Sequence, residues 1–298
     1  MFSQYFGNYL LNKNMVTAEQ LKDVLTLQKS VHVKLGILAL NFGCMNSGQV
    51  QEVHQQQMKQ DKRFGEIAID LGYLNEQQLQ TLLSSQKQGH LQLSQALIDQ
   101  KYLTLAELEN ELESYKQDCQ LTNDQLELLK QGNIDKIVPA FLNFEDPSHL
   151  NIYNDYTALL LKNMIRLLDE SPFLKKETLP DKYSGQWLIC QDIQGENNLY
   201  TGIAGDEDMI LNMASKFAGE QFTELDEMTK ASITEFLNVN NGIFLVNMSN
   251  QNIELQMNPL EIFQNVSIER NNGTYIIPIY LAQGKVYLII SNKKFCLE

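Results

Sequence analysis

A period of 29 residues is the feature that most constrains the fold of this chain. Aligned on a glycine, four stretches carry matching residues at the same offsets. The glycine column holds Gly7, Gly36, Gly65 and then Ser94. Seven residues later the column holds Asn14, Gly43, Gly72 and Lys101, and fourteen residues later it holds Leu21, Val50, Leu79 and Leu108. This pattern predicts a repeat array, in which units too small to bury their own apolar faces stack on their neighbours.

Each unit reads as a short helix, a tight turn and a longer helix. In "GEIAIDLG" the apolar residues Ile67, Ala68 and Leu71 fall at helical spacing. Gly72 then stands where a helix ends in a left-handed residue. Residues suited to capping the next helix follow in every copy: Thr17, Asn46, Asn75 and Thr104. We therefore expect an all-α N-terminal part over residues 1–117.

The stretch from Arg63 to Gln86 resembles the MshEN domain, the N-terminal module of type II secretion and pilus ATPases. The signature of that family is RLGxxLxxxGxxxxxxLxxxLxxQ, followed after five residues by a second copy. The stretch departs from it at Phe64 and Ala68, which stand in leucine columns. Residues 34–57 fit with lysine in the arginine column. The resemblance covers about residues 5–115 and implies two tandem MshEN-like domains.

Domains of this family are known to bind cyclic di-GMP, so the resemblance implies this nucleotide as a possible ligand. An arginine can stack on guanine or donate to it through two hydrogen bonds, and glycines let the backbone approach a ligand. The matching columns give the candidate nucleotide-binding residues Arg63, Gly65, Gly72 and Gln86, followed by Lys34, Gly36 and Gln57. The alternative is that the glycines and leucines only shape turns and core, while the glutamines cap helices.

Residues 118–149 change character and predict a linker. The 29-residue columns fail there, and Pro139 and Pro147 are expected to break any long helix. Thr122 can cap a short helix that Gly132 would end.

Beyond residue 150 the apolar period alternates between helix and strand. Helices are predicted over 155–170, 206–220 and 225–242, the last ended by Asn241 and Gly242. Strands are predicted in "QWLICQDI", "NLYTGIAG", "IFLVNMS", "NIELQMNP", "QNVSIER", "TYIIPIYL" and "KVYLIISN". The fold class is therefore multidomain, with an all-α part followed by an α+β domain whose helices pack on an antiparallel sheet.

Over about residues 150–291 the order of elements and the helix "ITEFLNVNNG" resemble the CheX/CheC/FliY family of aspartyl-phosphate phosphatases, and CheX most closely. The resemblance assigns a CheX-like domain to 150–298. The motif residues that carry it are Leu225, Asp226, Glu227, Glu235, Asn238, Gly242 and Pro259.

The resemblance implies that Glu235 and Asn238 form a catalytic pair. Residues three apart share a helix face, so both side chains point the same way. In the family this helix docks on a phosphorylated response-regulator receiver domain. There the carboxylate pairs with the regulator's lysine and the carboxamide orients a water. The regulator holds the Mg²⁺, so no intrinsic cofactor is expected.

Other family features bear on the partners. CheC-like members have two such pairs. Here Leu160 stands three residues before Asn163, so a second pair is predicted to be absent. CheX-like domains can dimerise, which leaves a homodimer open. The alternative function is a non-catalytic scaffold whose two modules only bind partners.

Composition excludes several other classes. A net charge of −14 argues against a protein that coats a nucleic-acid polymer. The four cysteines and four histidines show no metal-ligand spacing, and no GxxxxGK[ST] loop of an ATPase occurs. Neither a signal peptide nor a membrane span is evident in the sequence, so a cytoplasmic protein is expected.

Overall fold

The computed structural model describes residues 2–85, 89–271, 273–281 and 283–295, in two compact units. The N-terminal unit is Met1–Gly132 and the C-terminal unit is Asn133–Glu298. Within these described ranges, no helix has both the length and the apolar character needed to cross a membrane.

The described part of the N-terminal unit is built from helices. They are α1 (Phe2–Asn12), α2 (Ala18–Leu27), α3 (Leu35–Asn41), α4 (Ser47–Gln57), α5 (Phe64–Asp70), α6 (Glu76–Ser84), α7 (Gly89–Asp99), α8 (Leu105–Asp118) and α9 (Asn123–Gln131). A 3-10 turn at Gln28–Ser30 follows α2.

Positions 29 residues apart in this unit adopt the same local conformation. The residues after the first helix of each unit are all left-handed, with φ of 56°, 65°, 73° and 59° at Asn14, Gly43, Gly72 and Lys101. The predicted N-cap residues are confirmed, since each side chain accepts a hydrogen bond from the backbone three residues on: Thr17, Asn46, Asn75 and Thr104. In the first three copies the turns therefore follow from residues that tolerate left-handed or capping geometry, whereas the fourth copy keeps the same turn with a lysine.

The glycine column has a packing role. A Cβ added at Gly36 would lie 2.8 Å from Val50 Cγ1, and one added at Gly65 would lie 2.8 Å from Leu79 Cδ1. In each case the close neighbour is the residue fourteen positions later. The absent side chain thus lets the two helices of a pair approach each other.

The predicted linker is largely helical and divides between the two units. Helix α9 belongs to the N-terminal unit and ends at Gly132, whose φ is 68°. Helix α10 (Ile134–Phe141) belongs to the C-terminal unit and contains Pro139. Pro139 therefore lies inside a short helix of eight residues, and residues 118–149 contain no long helix, as expected. Its helix ends two residues later, and the apolar face of α10 packs on the following helix, which outweighs the lost hydrogen bond.

The C-terminal unit combines helices with an antiparallel sheet. Its other elements are α11 (Leu150–Leu168), β1 (Lys182–Gly195), β2 (Leu199–Gly205), α12 (Glu207–Ala218), α13 (Glu227–Ser249), β3 (Leu255–Met257), β4 (Glu261–Glu269), β5 (Thr274–Leu281) and β6 (Gly284–Ser291). The strand order is β3-β1-β2-β6-β5, and β4 also pairs with β1. Pro278 lies in β5 at the end of this order, where a missing N–H is tolerated.

One sequence-based prediction about this unit is wrong. Residues 243–249, predicted as a strand, continue α13, which does not end at Asn241 and Gly242. Phe244 and Met248 extend the buried helical face, each 1% exposed. Asn241 is fully buried and hydrogen-bonded through its side chain, so it does not act as a helix stop.

The two faces of the sheet are occupied differently. A core cluster that includes Leu188, Cys190 and Ile289 lies on one face. On the other, Gln191 and Thr201 stand opposite each other on β1 and β2. Their side chains hydrogen-bond to residues of α13 and α11, respectively, so this face carries the helices.

Candidate functional site

Helix α13 carries the predicted catalytic pair, and a side-chain cap fixes its start. The Asp226 carboxylate accepts a hydrogen bond from the Thr229 backbone N–H at 2.8 Å. The Thr229 hydroxyl also donates to it at 2.9 Å. These hydrogen bonds lower the pKa of the Asp226 carboxyl, and the one from the Thr229 backbone contributes most. A negative charge at this position also suits the positive end of the helix.

Glu235 and Asn238 lie side by side on the outer surface of α13. Glu235 is exposed and Asn238 is half-buried. Asn238 Nδ2 donates to Glu235 Oε2 at 3.4 Å, a long hydrogen bond. The two residues between them, Phe236 and Leu237, are fully buried at 0% exposure and hold the helix on the unit. The structure therefore brings the predicted pair together and opens it to solvent.

Further residues share the face of Glu235. We call Met228, Glu235, Gly242 and Val246 the α13 stripe, because multiples of the helical repeat place them close to one line. Met228 is 64% exposed and Val246 is 61% exposed. The Glu235 carboxylate thus belongs to a row of residues along α13 that has an exposed apolar side chain at each end, Met228 and Val246.

A buried network of amides holds the opposite face of α13. Asn241 Oδ1 accepts from the Tyr156 hydroxyl at 2.6 Å, and Asn241 Nδ2 donates to Gln191 Oε1 at 2.7 Å. Asn240 Oδ1 accepts from Asn163 Nδ2 at 2.8 Å. The Tyr156 hydroxyl also bonds Thr201, which ties the network to β2. We call these residues the asparagine network: Tyr156, Asn163, Gln191, Thr201, Asn240 and Asn241.

The asparagine network was missed in the sequence because Asn241 and Gly242 look like a helix end. One signal was present. Phe244 and Met248 continue the apolar helical spacing of Ile233 and Leu237 beyond that point. Read together, these residues predict an uninterrupted helix with two amides on its inner side.

The position of a second catalytic pair on α11 is closed. Leu160 is 0% exposed and Asn163 is 2% exposed. Asn163 uses its amide within the asparagine network, where it also accepts from Arg166 at 3.0 Å. Neither side chain is available to another protein.

A second Glu-x-x-Asn in the chain has a different local role. Glu107 Oε2 accepts from the Thr104 backbone N–H at 2.7 Å and from its hydroxyl at 2.8 Å. These hydrogen bonds lower the pKa of the Glu107 carboxyl. Glu107 thus completes the capping box of α8, and Asn110 is an exposed residue of the same helix.

The two cationic candidates of the N-terminal unit differ in their surroundings. Lys34 Nζ lies 2.9 Å from Asp99 Oδ1, and the Lys34 backbone N–H donates to Gln95 Oε1 at 2.9 Å. Arg63 is exposed at the start of α5, and no described acidic residue forms an ion pair with its guanidinium. The charge of Lys34 is already compensated, whereas that of Arg63 is available to a ligand.

The uncharged nucleotide-binding candidates are placed as follows. Gly36 and Gly65 are buried against side chains of their own unit, and Gly72 is a left-handed helix cap. Gln57 is half-buried at the end of α4. Gln86 lies outside the described residues.

No protein-family model matches the sequence, and no curated protein matches it. Among solved structures, a chemotaxis protein CheX from Desulfovibrio desulfuricans is similar at 15% identity with a TM-score of 0.39, over 49% of this chain and 99% of that chain. A CheC-like chemotactic protein from Shewanella oneidensis is similar at 18% identity with a TM-score of 0.40, over 48% and 98%. The CheX-CheY-BeF3-Mg²⁺ complex from Borrelia burgdorferi is similar at 18% identity with a TM-score of 0.37, over 47% and 96%. Structures of CheX- and CheC-like chemotaxis proteins are thus similar to about half of this chain.

Proposed function

We propose that the C-terminal unit is a phosphatase that accelerates the loss of the phosphoryl group from a response-regulator aspartate. The observation that carries this proposal is the placement of Glu235 and Asn238 within hydrogen-bonding distance of each other on the exposed face of an anchored helix. The resemblance of "ITEFLNVNNG" to the catalytic helix of the CheX-like family supplies the chemistry.

In the proposed reaction each side chain has one role. The Asn238 carboxamide hydrogen-bonds a water in line with the phosphorus, and the Glu235 carboxylate accepts a hydrogen bond from the receiver's lysine. The water oxygen forms a bond to phosphorus while the bond from phosphorus to the aspartate oxygen breaks. The products are an aspartate carboxylate, inorganic phosphate and a proton released to solvent. Catalysis here is positioning, with the Mg²⁺ supplied by the receiver.

The hydrogen bond between Asn238 and Glu235 is one that a docking receiver and a water could replace. The Asn238 to Glu235 hydrogen bond is 3.4 Å long and lies at the surface, where water competes with it. A lysine arriving at Glu235 and a water at Asn238 would replace it at little cost. The free protein thus holds the pair together without locking it.

The proposal is tested by the decay of phosphorylated receiver domains from the same genome, each loaded with a small phosphodonor. We expect Asn238→Ala and Glu235→Ala to slow the accelerated decay by about 10-fold to 100-fold, the scale of a misplaced reactant. Asn110→Ala is the matched control, because it alters the exposed asparagine of the other Glu-x-x-Asn and should leave the decay unchanged.

Two outcomes would contradict catalysis at this pair. One is a decay rate with Asn238→Ala and Glu235→Ala equal to that with the unaltered protein. The other is receiver binding without any acceleration, which would instead support the non-catalytic scaffold.

We also propose that the N-terminal unit is an MshEN-like repeat module that senses cyclic di-GMP. The supporting observation is Arg63, whose uncompensated guanidinium stands where α5 meets α3. A Cβ added at Gly36 would lie 3.3 Å from Phe64, and one added at Gly65 would lie 3.3 Å from Leu35, so the first turns of the two helices are in contact. A guanidinium at this junction can donate to guanine.

Titration calorimetry with cyclic di-GMP tests the sensing role. We expect binding heat for the full chain and its loss in Arg63→Ala. Lys62→Ala is the matched control, since Lys62 is the adjacent exposed cation but is paired with Asp70 at 2.6 Å. Absence of heat with the unaltered chain would reduce this unit to a docking module. The decay assay run with and without the nucleotide would then show whether the two units are coupled.

A further inference from the structure

Gly242 is a glycine in the interior of a long helix on the face that carries Glu235. It is the sixteenth of the 23 residues of α13. Glycine is unfavourable in a helix interior because it loses more backbone freedom on folding than any other residue. A glycine at this position therefore needs a reason.

Two reasons account for most of the described glycines, and neither applies to Gly242. Several glycines have a positive φ, such as Gly72 and Gly219 at 73° and 71°. Others lie against close neighbours, such as Gly36, whose added Cβ would be 2.8 Å from Val50. Gly242 has neither a positive φ nor any atom within 4 Å of an added Cβ. Among the glycines whose surroundings the structure describes, it alone combines a helical backbone with open space.

The open space lies next to the catalytic pair. Gly242 comes four residues after Asn238 and seven after Glu235, so it shares their face of α13. At the rise of an α-helix, it stands about 6 Å along the axis from Asn238 and about 10 Å from Glu235. The helix backbone is therefore bare immediately beyond the two side chains.

The length of the α13 stripe is that of a protein interface. Met228 and Val246 are separated by about 27 Å along the helix axis. A standard interface covers about 800 Å² on each partner, a patch roughly 30 Å across. The two exposed apolar side chains thus stand near the two edges of one such patch, and the catalytic pair and Gly242 lie between them.

We propose that Gly242 is a clearance position, against which the main chain of a receiver loop beside the phosphorylated aspartate packs in the docked complex. Met228 and Val246 supply apolar contacts at the two ends of this footprint. This inference rests on the proposed phosphatase function. A side chain at Gly242 would hold the receiver away from α13 and move the phosphorus out of line with the water on Asn238.

The magnitude follows from the geometry. A Cβ stands about 1.5 Å from its Cα, and a displacement of about 1 Å of the reacting groups can cost on the order of 100-fold in rate. The added methyl group should not destabilise the free protein, because no atom lies within 4 Å of its position and alanine favours the helix. The same substitution should therefore raise stability and lower activity.

The experiment compares Gly242→Ala and Gly242→Gln with the unaltered full chain. We expect the melting temperature of the C-terminal unit to rise by roughly 2–4 °C in Gly242→Ala. We expect the accelerated decay of a phosphorylated receiver to fall about 10-fold in Gly242→Ala and about 100-fold in Gly242→Gln. Gly48→Ala is the matched control, an exposed glycine within α4, and should leave the decay unchanged.

A second set of variants separates docking from positioning. Met228→Ser and Val246→Ser should raise the receiver concentration that gives half-maximal decay, with little change in the maximal rate. The Gly242 variants should also lower the maximal rate, because they displace the bound phosphoryl group. A purely structural role for Gly242 would change neither quantity.

The outcomes distinguish this inference from the function on which it rests. Decay at the unaltered rate with both Gly242 variants would overturn the clearance role. So would a lower melting temperature in Gly242→Ala, which would assign the glycine to the fold itself. If Glu235→Ala and Asn238→Ala abolish the acceleration while the Gly242 variants keep it, only this inference fails. If the unaltered protein accelerates no receiver's decay, the phosphatase proposal fails and the clearance role with it.

Discussion

At the scale of single residues, Asn241 shows how environment overrides local preference. Asparagine followed by glycine is typical of a helix end. In α13, however, Asn241 is fully buried and its amide has partners on α11 and β1. A buried amide with satisfied hydrogen bonds favours the arrangement that satisfies them, and here that arrangement is a continuous helix.

Replacement of Asn241 by leucine should destabilise the C-terminal unit by about 2–4 kcal/mol. The substitution removes the acceptor of Tyr156 and the donor to Gln191, and it leaves buried polar groups unpaired. Chemical denaturation followed by circular dichroism measures the loss. Asn247→Leu on the same helix is the control, because Asn247 is exposed and a surface change should stay within about 0.5 kcal/mol. Equal stability of the two variants would contradict a structural role for the network.

Gly36 should respond to alanine in the opposite direction from Gly242. The added methyl group would lie 2.8 Å from Val50, whose branched side chain is 1% exposed and stiff at χ1. We expect a loss of about 1–3 kcal/mol in the N-terminal unit, as for other overpacked cores. Thermal melting of Gly36→Ala against the Gly48→Ala control measures it. A melting temperature at or above that of the unaltered chain would contradict the packing role of the glycine column.

At the scale of elements, sequence predicts N-caps and left-handed turns better than the point at which a long helix ends. Asn75 and Gly72 set a cap and a turn through their own side chain and backbone, so a local pattern was sufficient. The helix around Pro139 depends on packing against α11, which a local pattern does not contain. The continuation of α13 past Gly242 did have a local signal, the apolar spacing of Phe244 and Met248. That Glu235 and Asn238 lie side by side could be predicted, because a spacing of three fixes a shared helix face. The partners of the buried amides Asn240 and Asn241 could not be predicted, because they come from distant parts of the chain.

The start of α13 should show a characteristic dependence on pH. Hydrogen bonds from Thr229 lower the pKa of the Asp226 carboxyl below that of an unfolded aspartate, which is about 3.9. The charged cap therefore stabilises the unit fully above that unfolded value, and the contribution is lost as the pH falls through the folded pKa. Asp226→Asn keeps a capping side chain without the charge.

The measurement is the melting temperature of both proteins from about pH 6 to about pH 2.5. Above about pH 5, the melting temperature of the unaltered protein should exceed that of Asp226→Asn. Below about pH 4, the difference between the two melting temperatures should become smaller. Glu227→Gln is the control, since the Glu227 side chain is 94% exposed. Its melting temperature should stay close to that of the unaltered protein at every pH. A gap for Asp226→Asn that stays constant with pH would contradict the charged cap.

At the scale of the whole molecule, the chain consists of two units with separate cores. The helical unit closes with the left-handed Gly132, and the next unit begins with α10. The C-terminal unit contains the complete described sheet and both residues of the predicted pair, Glu235 and Asn238. The side-chain partners described above that anchor α13 all lie in the C-terminal unit.

A fragment of residues 133–298 should fold cooperatively on its own, because a chain of that length can bury a core of its own. It should also keep the receiver decay rate of the full chain to within about two-fold, since its pair is positioned by its own residues. Circular dichroism melting and the phosphoryl-decay assay test this. Any response of decay to cyclic di-GMP should be present in the full chain and absent from the fragment. A fragment that unfolds, or folds without activity, would show that the helical unit completes the site.

The asparagine network fixes more than stability, because it sets the rotation of α13 about its own axis. A roll of one residue, about 100°, would swing Glu235 and Asn238 toward the flank of the unit and detach Asn240 and Asn241 from their partners. The orientation of Glu235 and Asn238 is thus set by Asn240 and Asn241, which are buried and out of reach of a docking protein. A substitution of Asn163, on a different helix, would consequently change the direction in which Glu235 and Asn238 point, although both surface residues keep their identity.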